Sequence, residues 1–270
     1  MPPMPIKLIA TDIDGTLLSP QGIITERSLK AIRAAREKGV TVAIATGRFP
    51  ENAYLLLEDY GLKLPIIGVN GARCVDESLR EVSSHEMDPE AVRQVLDVLL
   101  AAEADFFIFG DHAVCAATKE RKHHSELSQG DRVKALGFEY YHGREEVETC
   151  IRHKVYKFFV CDNVPLPPLR QTLARIPGID LTQSWYNNIE IMPSGVDKGV
   201  GVCDMARSLG LSMDQVMTLG DQSNDIPMLK AAGFGIAMGN ASEETKQAAR
   251  AVTASNADEG FALALETYAL

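Results

Sequence analysis

The sequence predicts an α/β fold in which a parallel sheet is interrupted by an inserted α+β domain. Short apolar runs rich in β-branched residues alternate with amphipathic segments before residue 83 and again after residue 185. Buried strands of parallel sheets have this composition, and their alternation with helices is typical of βαβ units. Between those two parts, several strand-like runs gather around only two clear helical segments, which is typical of an α+β domain.

The first predicted strand begins near Ile6 and ends at an acidic sequence. Asp12 and Asp14 lie beyond its carboxyl end, where open α/β sheets keep their ligands. On extended backbone these two side chains point to the same side, about 6–7 Å apart at Cα. Gly15 allows a sharp turn with positive φ, and Thr16 adds a hydroxyl group. Because two carboxylates this close repel each other unless a cation or a proton intervenes, we interpret them as part of a chemical site.

The rest of the first part continues the alternation. Thr25 is predicted to cap a helix that runs to about Lys38 and stops at Gly39, since a hydroxyl cap and a terminal glycine are helix boundary signals. The dipeptide Asn70-Gly71 is typical of a turn. The other predicted elements are a strand over Val40–Ala45, a helix over Pro50–Tyr60, a strand over Pro65–Val69 and a short strand over Ala72–Asp76.

The insert over residues 83–185 is predicted to form a second domain. Its first helix is introduced by Asp88-Pro89-Glu90, an N-cap followed by proline at the first helical position. The other predicted elements are strands over Phe106–Gly110, Val114–Ala117, Val155–Cys161 and Ile179–Ser184, and a helix over Pro168–Arg175. We therefore divide the chain into a core of residues 1–82 and 186–270 and an inserted domain of residues 83–185.

After residue 186 the alternation of strands and helices resumes. The predicted strands are Ile189–Met192, Val216–Leu219 and Phe234–Ala237, and the predicted helices are Asp197–Ser208, Met228–Ala231 and Ser242–Arg250. The sequence Gly-Asp-Gln-Ser-Asn-Asp at 220–225 follows the second of these strands, as Thr-Gly-Arg at 46–48 follows an earlier one. Polar residues thus follow several strand ends of the same predicted sheet.

Composition excludes several classes of function. The net charge of −10 and the lack of a basic stripe argue against a nucleic-acid partner. No apolar run reaches the roughly 18 residues of a membrane span, so we expect no membrane partner. Five cysteines without a Cys-x-x-Cys pair do not suit a disulfide framework. The first residues do not resemble a signal peptide, and we expect a cytoplasmic protein that is a monomer or a weak homodimer.

Four polar clusters are candidates for a single site. Each has a structural explanation when taken alone: a turn, a helix cap, a solvated lysine or a loop rich in capping residues. Their shared position at strand ends or helix starts favours one common site. The four clusters are Asp12 with Asp14, then Thr46, then Lys198, and finally Asp221 with Asn224 and Asp225.

The residue types in these clusters favour phosphoryl chemistry with a metal ion. Carboxylate oxygens suit Mg²⁺, and we expect Asp12 and Asp221 as direct ligands with a third contact from the Asp14 backbone carbonyl. Together with Lys198, the ion would neutralise the pocket and admit a phosphate dianion. Asp12 could then attack phosphorus as a carboxylate nucleophile. Asp14 could protonate the leaving alkoxide and later deprotonate water.

Further candidates would bind the phosphate and support the lysine. We expect the Thr46 hydroxyl and backbone N–H groups near Ile13 and Gly47 to donate to phosphoryl oxygens. Asn224 could orient the phosphate or the lysine. Asp225 could hold either a metal-bound water or the lysine, so its role stays open between the two.

These motifs resemble the haloacid dehalogenase superfamily of phosphohydrolases. The matching sequences are Asp-x-Asp-Gly-Thr-Leu-Leu from Asp12, Thr-Gly-Arg at 46–48, Asp-Lys-Gly at 197–199 and Gly-Asp-x-x-Asn-Asp-x-x-Met at 220–228. The place of the insert and the Val-Asn-Gly-Ala turn at 69–72 are similar to the Cof-type branch, and the resemblance covers nearly the whole chain. Asp-Glu-Gly at 258–260 departs from the Asp-Gly of many relatives, at a peripheral place.

The resemblance implies more than the residues show alone. It implies a Rossmann-like core, an inserted cap domain that selects the substrate, and dependence on Mg²⁺. It also implies an aspartyl-phosphate intermediate on Asp12 and small phosphorylated metabolites as substrates, with sugar phosphates as the first class to test.

Three other functions fit parts of the sequence. A dinucleotide site would need its glycines in a turn that opens a helix, whereas Gly233, Gly235 and Gly239 flank and occupy a predicted strand. A phosphomutase on the same core would use the same residues but return the phosphoryl group to its substrate. A non-catalytic phosphate-binding module would be expected to lack the nucleophile, the acid/base or the lysine, and all three are present.

Overall fold

The computed structural model describes residues 5–110, 114–117, 138–141, 144–161, 163–183 and 187–270. The strands are β1 (Leu8–Thr11), β2 (Thr41–Ala45), β3 (Ile66–Gly68), β4 (Arg73–Val75), β5 (Glu81–Ser84), β6 (Phe106–Gly110), β7 (Val114–Ala117), β8 (Phe138–Tyr141), β9 (Val155–Val160), β10 (Ile179–Thr182), β11 (Ile189–Pro193), β12 (Val216–Gly220), β13 (Phe234–Ala237) and β14 (Ala251–Val252). The helices are α1 (Glu26–Glu37), α2 (Pro50–Glu58), α3 (Pro89–Ala101), α4 (Arg144–Cys150), α5 (Leu166–Leu173), α6 (Lys198–Ser208), α7 (Ile226–Ala231), α8 (Glu243–Ala248) and α9 (Gly260–Tyr268). The chain divides into two compact units, Met1–Ser84 with Val196–Leu270, and His85–Gly195.

The first unit is built on an eight-stranded sheet in the order β14-β13-β12-β1-β2-β3-β4-β5. The strands from β14 to β3 are parallel to their neighbours, and β4 and β5 add an antiparallel edge. Helices α1, α2 and α9 bury their apolar sides against one face, and α6 and α7 cover the other. Because both faces are covered, the strands are apolar on both sides, and the predicted α/β class is confirmed.

The carboxyl ends of three neighbouring strands meet at one edge of this sheet. β1 lies between β2 and β12, with Leu8 opposite both Thr41 and Val216. In this register the residues that follow the three strands emerge side by side. The parallel pairing therefore brings segments that are far apart in the sequence to one place.

The second unit has a six-stranded, mostly antiparallel sheet in the order β10-β11-β9-β6-β7-β8. Side chains from α3, α4 and α5 pack on one face of this sheet. Their apolar core includes Leu96 of α3 and Leu169 of α5, against Phe106, Phe158 and Ile191 of the strands. Strands gathered on one sheet with helices on one side form an α+β unit.

The C-terminal boundary of the insert differs from the predicted one. We expected the core to resume at residue 186, but β11 pairs antiparallel with β9 and β10 in the second sheet, and this unit extends to Gly195. The predicted boundary at 185/186 itself lies outside the described residues. β11 is buried along its whole length, as a parallel core strand is, so its burial does not show which sheet it joins.

Elements with strong local sequence signals were predicted at the right places, and elements with weak signals were missed. Thr25 and Asp88 cap α1 and α3 with their side chains, as predicted. Strands β5, β8 and β14 and helices α4 and α9 were not predicted. β5 is only partly buried, so it lacks the apolar pattern that identifies a strand. Along the described ranges, every helix is too short or too polar to cross a lipid bilayer.

Candidate active site

The candidate site is formed where β1, β12 and α6 meet. Asp12 follows β1 and Asp221 follows β12. Lys198 is the first residue of α6, whose N-cap Asp197 accepts a hydrogen bond from the Val200 N–H group at 3.0 Å. Asp225 ends the helical turn that leads into α7. The structure thus brings together four residues from three of the four predicted clusters.

Lys198 is the centre of this arrangement. Its side chain is 1% exposed, and Nζ donates to Oδ1 of Asp12 and Oδ1 of Asp225, at 2.6 Å in each case. The other oxygen of Asp225 accepts hydrogen bonds from the backbone N–H groups of Asp221 and Gln222, at 2.9 Å each. Both oxygens of Asp225 are therefore engaged, and its carboxylate fixes the position of the lysine.

The site contains more negative than positive charge. Asp12, Asp221 and Asp225 are all buried, with one carboxylate oxygen of each within 4.8 Å of the others. Lys198 is the one buried cation that contacts them among the described residues. Three carboxylates beside one ammonium leave a deficit of positive charge, and hard oxygen donors suit a divalent cation such as Mg²⁺. The donor set therefore fits a metal ion.

The carboxylates of Asp12 and Asp221 are held in different ways. Oδ2 of Asp12 accepts no hydrogen bond from any residue that the structure describes. Asp221 is oriented by the Thr16 hydroxyl, which donates to Oδ1 at 2.7 Å, and by the Gln222 amide, which donates to Oδ2 at 3.1 Å. A Cβ on Gly15, where φ is +89°, would lie 2.3 Å from Oδ2 of Asp221. Glycine is required there, because any side chain would occupy the space of this carboxylate.

Burial and crowding change the proton affinities of the site. Burial raises the pKa of Asp12 to about 8, and the carboxylates of Asp225 and Asp221 add to the rise while Lys198 opposes it. Burial likewise raises the pKa of Asp221 to about 6, opposed chiefly by the Thr16 hydrogen bond. Burial alone would lower the pKa of Lys198, but the Asp12 and Asp225 carboxylates outweigh it and the pKa is raised. The lysine therefore stays charged, and a further cation is needed to ionise the acids fully at neutral pH.

Asp14 lies apart from the buried carboxylates. Its side chain is 58% exposed and forms a two-point ion pair with Arg48, with Nε–Oδ2 and Nη2–Oδ1 distances of 2.9 and 2.6 Å. Its carboxylate is not in the cluster that could hold a metal. The exposed carboxylate of Asp14 is accessible for the predicted proton transfers. The predicted contact with a metal ion would come from the backbone carbonyl of Asp14 alone.

The predicted phosphate-binding residues surround a turn after β3. Thr46 is buried, and its Oγ1 accepts from the Arg48 N–H group at 3.1 Å. Asn224 donates from Nδ2 to Oδ1 of Asn70 at 3.3 Å. A Cβ on Gly47 would lie 3.0 Å from the same Asn70 oxygen, so Gly47 and Asn224 share one neighbour. Ile13 begins the helical turn after Asp12, where the first N–H groups have no partner within the turn.

Sequence reasoning missed four residues that touch the site. Arg48, Asn70 and Gln222 were not proposed as site residues, and Thr16 was noted only for its hydroxyl group. The signal that could have found Asn70 is its place directly after β3, the neighbour of β2. Residues that follow adjacent parallel strands lie at the same edge of the sheet. Arg48 and Gln222 lie within the motifs that already carry candidates.

The raised pKa values of Asp12 and Asp221 predict an unusual dependence of stability on pH. A carboxyl whose pKa is raised from 3.8 by folding contributes stability at low pH that is lost as pH rises through the folded value. Without metal, the free energy of unfolding should therefore fall between pH 5 and about pH 8.5. Because Mg²⁺ competes with these protons, its stabilising effect should increase over the same range.

Urea unfolding at pH 5.5, 7 and 8.5, with chelator and with Mg²⁺, measures both effects. Asp221→Asn is the matched variant, in which the fall between pH 5.5 and 7 should be smaller. Stability that rises with pH in chelator, or Mg²⁺ without effect at pH 8.5, would contradict the charge deficit described above.

Comparisons with known proteins match nearly the whole chain. A family model described as haloacid dehalogenase-like hydrolase matches residues 9–265. The chain is 30% identical over 267 residues to a 5-amino-6-(5-phospho-D-ribitylamino)uracil phosphatase of Bacillus subtilis strain 168, covering 98% of this chain and 96% of the relative. It is 28% identical to a pyridoxal phosphate phosphatase of Escherichia coli K12, covering 96% and 97%. A solved haloacid dehalogenase-like hydrolase from B. subtilis, 26% identical, superposes with a TM-score of 0.84 and covers 97% and 99%.

Proposed function

The chain belongs to the haloacid dehalogenase-like hydrolases, in their Cof-type branch, and from this membership we propose that it is a Mg²⁺-dependent phosphohydrolase of a small phosphorylated metabolite. Its curated relatives described above are phosphatases. The observation that carries the proposal is the buried cluster of Asp12, Lys198, Asp221 and Asp225. An oxygen of Asp12 in this cluster accepts no hydrogen bond from the described residues, so it is available to an incoming phosphorus atom.

Asp12 is the proposed nucleophile. Its carboxylate oxygen forms a bond to phosphorus while the bond from phosphorus to the ester oxygen of the substrate breaks, which leaves an aspartyl phosphate. Lys198 holds the other oxygen of Asp12 at 2.6 Å and so aims the attacking one. Asp12 and Asp221 would hold Mg²⁺, which would supply positive charge that offsets the phosphate and favours the ionised form of Asp12.

Asp14 is the proposed general acid and base. In the first displacement it gives a proton to the ester oxygen of the leaving alcohol. In the second, a water oxygen attacks the same phosphorus atom, Asp14 takes the water proton, and the bond to the Asp12 oxygen breaks to release inorganic phosphate. Both oxygens of Asp14 contact Arg48 in the structure, so this ion pair must open for the proton transfers to occur.

The remaining candidates would hold the phosphoryl group. We assign the Thr46 hydroxyl and the N–H groups at Ile13 and Gly47 as donors to its oxygens, with Asn224 beside them. Asp225 is a positioning residue for Lys198, because both of its oxygens are already engaged. We favour this role over the alternative contact with a metal-bound water because Lys198 donates directly to Asp225.

We propose a sugar phosphate or a closely related ester as the substrate. The B. subtilis relative is named for a phosphorylated ribityl compound, and a ribityl chain is derived from a sugar. The E. coli relative is named for pyridoxal phosphate, whose leaving group is not a sugar. We assign the selection of the leaving group to the inserted unit, as the cap domain.

Release of inorganic phosphate tests the proposed function. Purified protein should hydrolyse para-nitrophenyl phosphate and at least one sugar phosphate or related ester in a metabolite panel. Activity should require Mg²⁺ and be lost in chelator. Stoichiometric release of phosphate distinguishes hydrolysis from mutase chemistry, which would return the phosphoryl group to the substrate. No release from any ester in the presence of Mg²⁺ would refute the proposal.

Asp14→Asn is expected to lower kcat by about 10²–10⁴-fold, the usual contribution of general acid–base catalysis. An amide cannot give up or take the proton, while the lost ion pair with Arg48 is exposed and contributes little stability. The loss should be larger for an alkyl phosphate than for para-nitrophenyl phosphate, whose leaving group needs no proton. Asp76→Asn, which removes another carboxylate bound by an arginine, is the control. Equal losses on the two substrates would remove Asp14 from acid catalysis.

A further inference from the structure

The turn Val69–Gly71, which follows β3, has a backbone conformation that few side chains adopt. Three residues in succession have positive φ: Val69 at +50°, Asn70 at +52° and Gly71 at +94°. Glycine and asparagine tolerate this region, but a β-branched residue such as Val69 is strained there. Such strain persists only where surrounding contacts enforce it, and it occurs preferentially at functional sites.

Backbone hydrogen bonds join this turn to the chain that follows β2. The N–H group of Val69 donates to the Arg48 carbonyl at 2.9 Å, and that of Asn70 donates to the Thr46 carbonyl at 3.0 Å. The segment that carries Thr46 and Gly47 is therefore held by the left-handed turn, and its position depends on the conformation of the turn.

The same turn packs directly against the start of α6. A Cβ on Gly71 would lie 2.1 Å from the Asp197 carbonyl oxygen and 3.2 Å from the Gly201 nitrogen. Only glycine allows the backbone of the turn to come this close to α6. The positive φ of Gly71 also favours glycine at this position. Lys198 is the residue immediately after Asp197, so the turn contacts the helix end that presents the lysine.

The Asn70 side chain completes the connection. It is 4% exposed, and its Oδ1 accepts from the Asn224 amide at 3.3 Å. The same oxygen lies 3.0 Å from the place of a Cβ on Gly47. One buried amide therefore lies between two of the groups that we assigned to the phosphate, and it belongs to the turn that packs against the start of α6.

We propose that Asn70 is a positioning residue for phosphate binding. It fixes Asn224 and the Thr46–Gly47 segment relative to each other and to the start of α6. This inference rests on the proposed function, since it concerns the same phosphate site. The left-handed turn explains why asparagine suits the position: it tolerates positive φ and offers an amide where glycine offers none.

Two variants separate the side chain from the backbone of the turn. Asn70→Gly keeps positive φ without strain and removes the amide. We expect it to fold and to lose about tenfold to a hundredfold in kcat/KM, because displaced donors weaken binding of the transition state. Asn70→Asp keeps the shape and the acceptor oxygen but adds a negative charge beside the phosphate, so it should weaken the binding of inorganic phosphate more than Asn70→Gly does.

The measurements are turnover of para-nitrophenyl phosphate and calorimetric binding of inorganic phosphate, both with Mg²⁺, beside thermal unfolding. Asn163→Asp adds the same charge in the second unit, where Asn163 contacts Asp105 and Glu103, and should bind phosphate like the wild type. If Asn70→Asp binds inorganic phosphate within twofold of the wild type, or Asn70→Gly turns over at the wild-type rate, the positioning role is wrong. A wild type that hydrolyses no ester would instead count against the proposed function.

Discussion

Asp12→Asn is expected to abolish turnover, with a loss in kcat of about 10⁴-fold or more, as when other covalent nucleophiles are removed. An amide oxygen carries no negative charge, so it cannot form the bond to phosphorus at a useful rate. The fold should survive, because Asp12 is buried beside two other carboxylates and burial holds its pKa near 8. A neutral side chain of the same shape relieves that crowding. In chelator at pH 8, the variant should unfold at the wild-type temperature or above it.

Trapping the phosphoenzyme gives a direct measure of this role. Acid quenching during turnover, followed by borohydride reduction, should convert phosphorylated Asp12 in the wild type into homoserine, which peptide mass spectrometry detects. Asp204→Asn is the control, since Asp204 lies on α6 and pairs with Arg207 at 2.7 Å; it should show wild-type turnover and the same trapped peptide. Turnover by Asp12→Asn near the wild-type rate, or a trapped phosphate on another residue, would reject Asp12 as the nucleophile.

Lys198→Met is expected to have the second largest effect, on both stability and turnover. It leaves three buried carboxylates without their cation, and breaking a buried ion pair in this way costs about 3–5 kcal/mol. The cost should be greatest in chelator near pH 8.5 and smaller near pH 5.5, because protonation removes the unpaired charge at low pH. With Mg²⁺ present the variant should fold. Its kcat should still fall by about 10²–10³-fold, because it lacks the hydrogen-bond donor that orients the Asp12 carboxylate.

A second substitution separates the two effects of Lys198. Asp225→Asn removes one of the carboxylates that Lys198 neutralises, so the double variant with Lys198→Met should recover part of the lost stability. It should recover none of the turnover, because the Asp12 carboxylate still lacks the hydrogen bond from Lys198. Urea unfolding and initial rates on para-nitrophenyl phosphate supply the two measurements. Additive losses of stability in the double variant would mean that Lys198 and Asp225 do not act as a pair.

The sequence predicted the sheet and its site because both depend on local patterns. Strand composition fixed β1, β2 and β12, and the polar residues directly after them had to lie at the edge where parallel strands end. Helix caps at Thr25 and Asp88 depend on a few neighbouring residues and were equally visible. The motifs around Asp12 and Asp221 therefore pointed to one pocket without any knowledge of the pairing.

Other features required contacts between distant parts of the chain. β11 is buried throughout like a core strand, and only its pairing with β9 and β10 placed it in the second sheet. The sequence left Asp225 between a water and the lysine, and the structure places its Oδ1 2.6 Å from Nζ of Lys198. Asn70 was predicted as a turn residue, and only packing showed that its amide meets Asn224.

What the sequence determined by itself is thus the α/β class and a two-part organisation, and it supplied most of the residues that we assign to the proposed phosphate site. Tertiary structure alone decided which carboxylate each cation meets, including the pairing of Asp14 with Arg48 outside the buried cluster. The physical reason is the distance along the chain over which each effect acts. Burial patterns and helix caps depend on a few neighbouring residues. The electrostatic field at a buried charge depends on every group within several ångströms, whatever its place in the chain.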